Sequence, residues 1–200
     1  MKKLSLVIVM LIMACNNREM PTERLATKRS PIIKIKVYSN SVTNTHKNIF
    51  DAAKASQKKY LRYVKNKRYI GIVNYNIPYT RERFWIYDIK QNKVIFRSRV
   101  SHAYHSGKRY AYKFSNKPNS YLSPKGSFVT LNTFDGTYGY SMRIKGLERG
   151  INDNSLKRGI IFHPANGMTH SGGCFMLPDL IAEETFDKIK NGTLIYVHRT

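Results

Sequence analysis

Two hundred residues, with 42% apolar and 12% aromatic side chains, exclude a disordered chain and suit one folded domain with a sizeable core. The 35 Lys+Arg against 12 Asp+Glu give a formal net charge of +23. That charge is spread along the whole chain with no concentrated basic recognition helix, so it points to polyanionic envelope or lipid surfaces and away from nucleic acid.

The chain starts with Lys2-Lys3 and the apolar run LSLVIVMLIMA, too short for a comfortable membrane span and ordered like a signal peptide over residues 1–14. It ends at Ile12-Met13-Ala14-Cys15, which resembles the lipobox of bacterial lipoproteins, in which the cysteine is lipidated. An ordinary signal peptide or an uncleaved anchor is the alternative. Residues 15–31 are polar, charged and aperiodic, as in a flexible tether, and a single domain is expected over residues 32–200.

Within that domain Ile33, Ile35 and Val37 alternate with lysines, predicting a short edge strand. Lys47 to Asn66 carries Ile49, Phe50, Ala53, Tyr60, Leu61 and Val64 on one helical face, with Asn44 or Thr45 as cap. Strands are predicted over Tyr69–Val73, Arg83–Ile89 and Val94–Val100, the last two joined by a turn at Gln91-Asn92. Ser101 to Lys125 is polar and tyrosine-rich and reads as a long functional or mobile loop. A hairpin across Asp135-Gly136 follows, then a strand over Gly159–His163, a helix over Asp179–Lys190 and a closing strand over Thr193–His198. Strands dominate and helices flank them.

The chemistry concentrates between Gly159 and Asp179. The apolar run Ile160-Ile161-Phe162 delivers His163 at a strand end, and Ser171-Gly172-Gly173-Cys174 opens the next apolar run. The chain has two cysteines; if Cys15 carries lipid, Cys174 is a lone thiol in a compartment where disulfides are usual, which suggests reactivity. A buried inert cysteine is the competing reading. Histidine can take the thiol proton and glycines leave backbone N–H groups open to an oxyanion, which favours a cysteine nucleophile. Cysteine titrates at about 8.5 and histidine near 6.5, so a close pair is expected to yield thiolate at neutral pH. His102 and His105 lack partners at metal-ligand spacing, and His46 and His198 read as solvated; no metal and no cofactor are expected.

His163 and Ser171 to Cys174 resemble the L,D-transpeptidase catalytic domain of the YkuD type, in particular its murein L,D-transpeptidase branch. The resemblance extends over roughly Tyr69 to His198. It takes in the Ser101-His102-Ala103 and Ser106-Gly107 segment, Phe114-Ser115-Asn116, the hairpin Tyr138 to Arg143, Gly146-Leu147-Glu148 through Asn152-Asp153-Asn154, and Arg158 to His163. It implies a mostly β fold of sandwich or barrel type. It also implies attack by Cys174 on the third residue of a peptidoglycan stem peptide, release of D-alanine, and resolution of the thioester by an amine. His163 is then the base, Ser171 shapes the cysteine loop, and the Gly172-Gly173 backbone with Cys174 supplies oxyanion donors. The implied setting is the bacterial cell envelope, lipid-anchored on the periplasmic or outer-membrane side, with stem peptides and the anionic wall as partners. Three departures bear on substrate positioning: Gly172 stands where many members carry a second histidine, His170 where an arginine is frequent, and the loop from His163 to Ser171 is short. L,D-carboxypeptidase hydrolysis and a non-catalytic basic wall-binding lipoprotein are the alternative functions.

Overall fold

The structure is a computed structural model that describes residues 44–165, 167 and 169–200. The leader, Cys15, the tether and the expected edge strand at Ile33–Val37 lie outside the described residues. Helix α1 (Asn44–Lys59) is followed by a 3-10 turn, Leu61–Tyr63. The helix predicted to Asn66 therefore stops sooner. Leu61, expected on its buried face, is 47% exposed, while Ile49, Phe50, Ala53 and Val64 are buried.

The strands are β1 (Tyr69–Asn74), β2 (Phe84–Asp88), β3 (Lys93–Ser98), β4 (His102–Ala103), β5 (Gly126–Gly136), β6 (Gly139–Gly146), β7 (Ile161–Pro164), β8 (His170–Ser171), β9 (Phe175–Leu177) and β10 (Leu194–His198), with α2 (Asp179–Ile189) between β9 and β10. Eight of them form one mixed sheet in the order β3-β2-β1-β10-β5-β6-β7-β9, and β4 pairs with β8 in a second small sheet. The mostly β fold with flanking helices expected from the sequence is the fold found. The last strand in sequence, β10, is central in space, parallel to β1 and antiparallel to β5.

The large sheet curls onto itself. Phe84 of β2 and Phe162 of β7 stand five strand steps apart, about 24 Å in a flat sheet at ~4.8 Å per step. Their rings lie 5.6 Å apart. Between the facing walls Phe128, Phe162, Phe175 and Phe186 are fully buried, and Phe162 stacks on Phe175 at 4.8 Å. A second core lies under α1, where Phe50 packs on Trp85 and Tyr87. His46, expected in water ahead of the helix, is inside it and edge-on to Trp85 at 5.0 Å; burial lowers its pKa. His198 pairs within the sheet opposite Asn74 and is likewise lowered by burial.

The β5–β6 hairpin pairs Gly136 with Gly139, so Thr137-Tyr138 form its tip and not Asp135-Gly136. A register shift between Thr130 and Thr133 marks a bulge, which bends a strand at such a point. The tip lies against the end of β7: a β-carbon at Gly139 would be 3.5 Å from Pro164 Cγ.

The Gly146–Asn154 stretch acts as scaffolding. Asn152, fully buried, donates from Nδ2 to Lys125 O (2.8 Å) and Ser127 O (3.0 Å), and its Oδ1 accepts from Glu148 N (2.9 Å). Glu148 Oε1 accepts from Ser127 N at 2.7 Å. Asn154 bonds Asn116 twice, and Asn116 also reaches Asp153. Gly146 is required, because a side chain there would collide with the Asn152 carbonyl. Asn152→Ala takes the partner from Lys125 O and Glu148 N and leaves Ser127 O with Leu147 N alone, so chemical denaturation is expected to show a loss of about 2 kcal/mol.

Candidate active site

Strand β7 brings His163 beside β9, whose register pairs Phe162 with Phe175 and His163 with Met176. Since Phe162 and Phe175 both enter the core, strand alternation sends His163 and Met176 to the other face, and Cys174 joins them one position before Phe175. The structure thus sets His163 and Cys174 on one face of adjacent strands, diagonally across the pairing. It does not join them by a hydrogen bond.

Each is held by other groups. His163 is 5% exposed, and its Nδ1 donates to Pro164 O at 2.8 Å. That bond puts the proton on Nδ1 and leaves Nε2 with a free lone pair, the form a general base requires. The ring is covered by Tyr138, stacked at 4.4 Å and 24°. Tyr138, itself 60% exposed at the hairpin tip, was not among the expected site residues. Its position follows from where the bulged hairpin lands, and the local sequence carries no sign of it.

The thiol of Cys174 is half-buried and donates to Gly159 O at 3.5 Å, while the Ile161 N–H donates toward the sulfur. Burial raises the thiol above its ordinary value, opposed by the Ile161 N–H and by the Arg158 guanidinium. Burial also lowers His163, opposed by the bond to Pro164. Both shifts favour the neutral forms, thiol and imidazole, because burial penalises both charges of the thiolate–imidazolium pair expected at neutral pH.

The loop backbone is fixed by two serines. Ser171 Oγ donates to Cys174 O (2.7 Å) and accepts from Gly173 N (3.1 Å). Ser101 Oγ donates to the same carbonyl (3.2 Å) and accepts from Met176 N (3.0 Å). The Gly173 N–H, expected at the oxyanion, is therefore occupied. No described residue accepts from the Cys174 N–H, which remains as a donor. Gly172 is exposed and places no side chain over the thiol. Ser171→Ala removes one of two hydroxyls on a carbonyl that keeps the other. A loss of roughly 10-fold in the acylation rate is expected by mass spectrometry, the equivalent of about 1.4 kcal/mol.

His102 reinforces the site from behind. It is fully buried in β4, beside β8, with register His102 to His170 and Ala103 to Ser171. Arg83 Nη2 can only donate, so His102 Nδ1 accepts it at 2.9 Å and Nε2–H donates to Gly107 O at 2.7 Å. Burial lowers His102 to about 4 and keeps it neutral. Arg83, also fully buried, adds bonds to Val100 O and Ile77 O. The long loop after Ser101 is tied down as well: Ser123 N donates to Ser106 Oγ, Ala103 N to Ser123 Oγ and Tyr112 N to Ser106 O. Among the described residues no three His, Cys, Asp or Glu side chains stand at metal-binding range.

A half-buried thiol at a glycine turn and an imidazole fixed in one tautomer one strand over are the two residue types that the candidate site brings together. A family profile described as L,D-transpeptidase catalytic domain matches residues 41–198, and the chain belongs to that family. Among solved structures it is similar to an L,D-transpeptidase from Mycobacterium smegmatis, at 16% identity and TM-score 0.42, over 66% of this chain and 59% of that one. It is similar to L,D-transpeptidase 1 of Mycobacterium tuberculosis at 18% identity and TM-score 0.40, over 66% and 62%. A mutant form of the helical cell shape determining protein Pgp2 from Campylobacter jejuni aligns at 12% identity and TM-score 0.50, over 74% and 56%. The chain thus spans about three fifths of the length of these structures. No curated protein matches it.

Proposed function

We infer that this protein is a peptidoglycan-modifying enzyme of the cell envelope that works through a Cys174 thioester, with L,D-transpeptidation as its reaction. The carrying observation is the His163 tautomer: Nδ1–H is committed to Pro164 O, so Nε2 is free to accept a proton on the face that carries the thiol. When a stem peptide covers the site, His163 takes the thiol proton as sulfur bonds to the carbonyl carbon of the third stem residue. The oxygen gains negative charge, for which the Cys174 N–H is the available backbone donor. Collapse breaks the bond to the leaving D-amino acid, whose nitrogen takes the proton from His163. An amine of a second stem then bonds to the acyl carbon, the sulfur–carbon bond breaks and the thiol is restored.

Ser171 and Ser101 support this reading by fixing the nucleophile's carbonyl, which lowers the reorganisation needed at attack. Attachment of a lipid at Cys15 and a tether over residues 15–31 would hold the domain at a membrane, with the wall in reach. The high positive charge suits adhesion to anionic wall or lipid surfaces.

Incubation with purified disaccharide tetrapeptide, read by mass spectrometry, tests the proposal. Cross-linked dimers lacking one D-alanine are the expected product. Tripeptide alone would mean that water resolves the acyl-enzyme, making the protein an L,D-carboxypeptidase. Unchanged substrate and no carbapenem adduct would overturn the enzymatic reading and leave a wall-binding protein.

A further inference from the structure

A guanidinium stands against Gly173, the residue before Cys174. Arg158 leaves the scaffold loop one residue before Gly159, whose carbonyl accepts a hydrogen bond from the thiol. Its Nη1 donates to Ser115 O (2.6 Å), and its Nη2 to Leu122 O (2.6 Å) with a longer contact to Ser120 Oγ (3.4 Å). All three acceptors are uncharged, so the cation is anchored without being neutralised. Among the described residues the Cys174 thiol is the ionisable group that favours its charged form, and Arg158 in turn favours the thiolate.

Gly173 makes the approach possible. A β-carbon there would lie 2.6 Å from Ile160 Cδ1 and 3.3 Å from Arg158 Nη2, so the guanidinium sits directly against the backbone that leads into the nucleophile. Arg158 also lines a cavity of about 210 Å³ beside Gly172, together with Pro118, Asn119, Tyr121 and Lys157. The polar groups that act on the thiol are then the Gly159 carbonyl and Arg158 from the scaffold loop and the Ile161 N–H from β7, with His163 farther along β7, while Lys157 and Tyr121 line the cavity beside Gly172. Ser101 and Ser171 are bound to the Cys174 carbonyl.

We propose that Arg158 is a positioning residue of this site, the fixed positive charge that holds the Cys174 thiolate once its proton has left. This rests on the reading of Cys174 as nucleophile and adds to it. A neutral imidazole gives the sulfur no counter-charge until it has taken the proton, whereas Arg158 is charged throughout. The scaffold of Asn116, Asn152 and Asn154 holds the 146–159 segment to the loop whose carbonyls seat the guanidinium. It thereby aims the charge at the thiol.

The test is the pH profile of Cys174 alkylation by iodoacetamide, in which thiolate sulfur displaces iodide. It needs no stem peptide and so separates this proposal from the transpeptidase reading. Arg158→Gln keeps a donor for the loop carbonyls and removes the charge. Its alkylation midpoint should rise by roughly one pH unit, cutting the rate near neutrality about 10-fold. Arg158→Lys should stay near the parent midpoint, and Lys157→Gln, an exposed neighbour, should not move it. An unmoved midpoint in Arg158→Gln, or equal shifts in Arg158→Gln and Arg158→Lys, would reduce Arg158 to a loop brace and overturn the proposal. An equal shift in Lys157→Gln would assign the effect to the general basic field and also overturn it. Should Arg158→Gln fail to fold, Arg158→Lys decides: a midpoint at the parent value upholds the proposal and a one-unit rise overturns it.

Discussion

Cys174→Ser is expected to give a folded protein that forms no acyl adduct with a carbapenem or a tetrapeptide donor, a fall of more than about 10⁴-fold in acylation rate. The substitution is nearly isosteric, and the Cys174 carbonyl keeps its bonds from Ser171 and Ser101 whatever the side chain. What changes is the proton. Burial already holds the thiol above its ordinary value. A serine hydroxyl, higher still by many units, is out of reach of an imidazole that burial has made a weaker base than usual. Intact-protein mass spectrometry reads the adduct and circular dichroism confirms the fold. Labelling at the parent rate would place the nucleophile elsewhere.

His163→Ala is the second large effect, a loss of about 10²–10⁴-fold at neutral pH. The direction of its pH dependence follows from the two shifts. In the parent, His163 is held below 6.5, so the base form is present at neutrality and activity declines only as pH falls through that lowered value. In His163→Ala the acid limb disappears and the rate instead climbs with pH, following ionisation of a thiol raised above about 8.5. Partial recovery is therefore expected only on the alkaline side. A variant that keeps the parent's rate and profile would remove His163 from the mechanism. Stacking of Tyr138 on the ring means that removing the imidazole also opens a gap at the hairpin tip. Thermal unfolding of His163→Ala beside His163→Gln, which refills the gap, separates that packing effect from the lost base.

Much of the secondary structure was legible because burial is periodic. Tyr69–Asn74, Phe84–Asp88 and Leu194–His198 are apolar runs bounded by turn residues, and they form strands where expected. The positive φ of Asn92 matches a turn read from Gln91-Asn92. The misplacements have local causes. The α1 helix ends early because the 3-10 turn lets Val64 enter the core while Leu61 turns outward. The hairpin tip moved by two residues because pairing of Gly136 with Gly139 continues the ladder past the glycine that looked like a turn.

By itself the sequence determined the family and named the candidate groups: a thiol at a serine-glycine-glycine turn, a histidine at a strand end and a family pattern that runs through both. Those features are contiguous, and each residue type carries its own reactivity. Only the tertiary structure decided what surrounds them. The burial that favours neutral Cys174 and His163, the Ser101 hold on the Cys174 carbonyl, the Tyr138 cover and the Arg158 charge all depend on segments far apart in the chain. They meet because β10, last in sequence, inserts at the centre of the sheet and the sheet curls until β2 faces β7. Burial and through-space charge act at distances set by that closure, and no spacing along the chain encodes them.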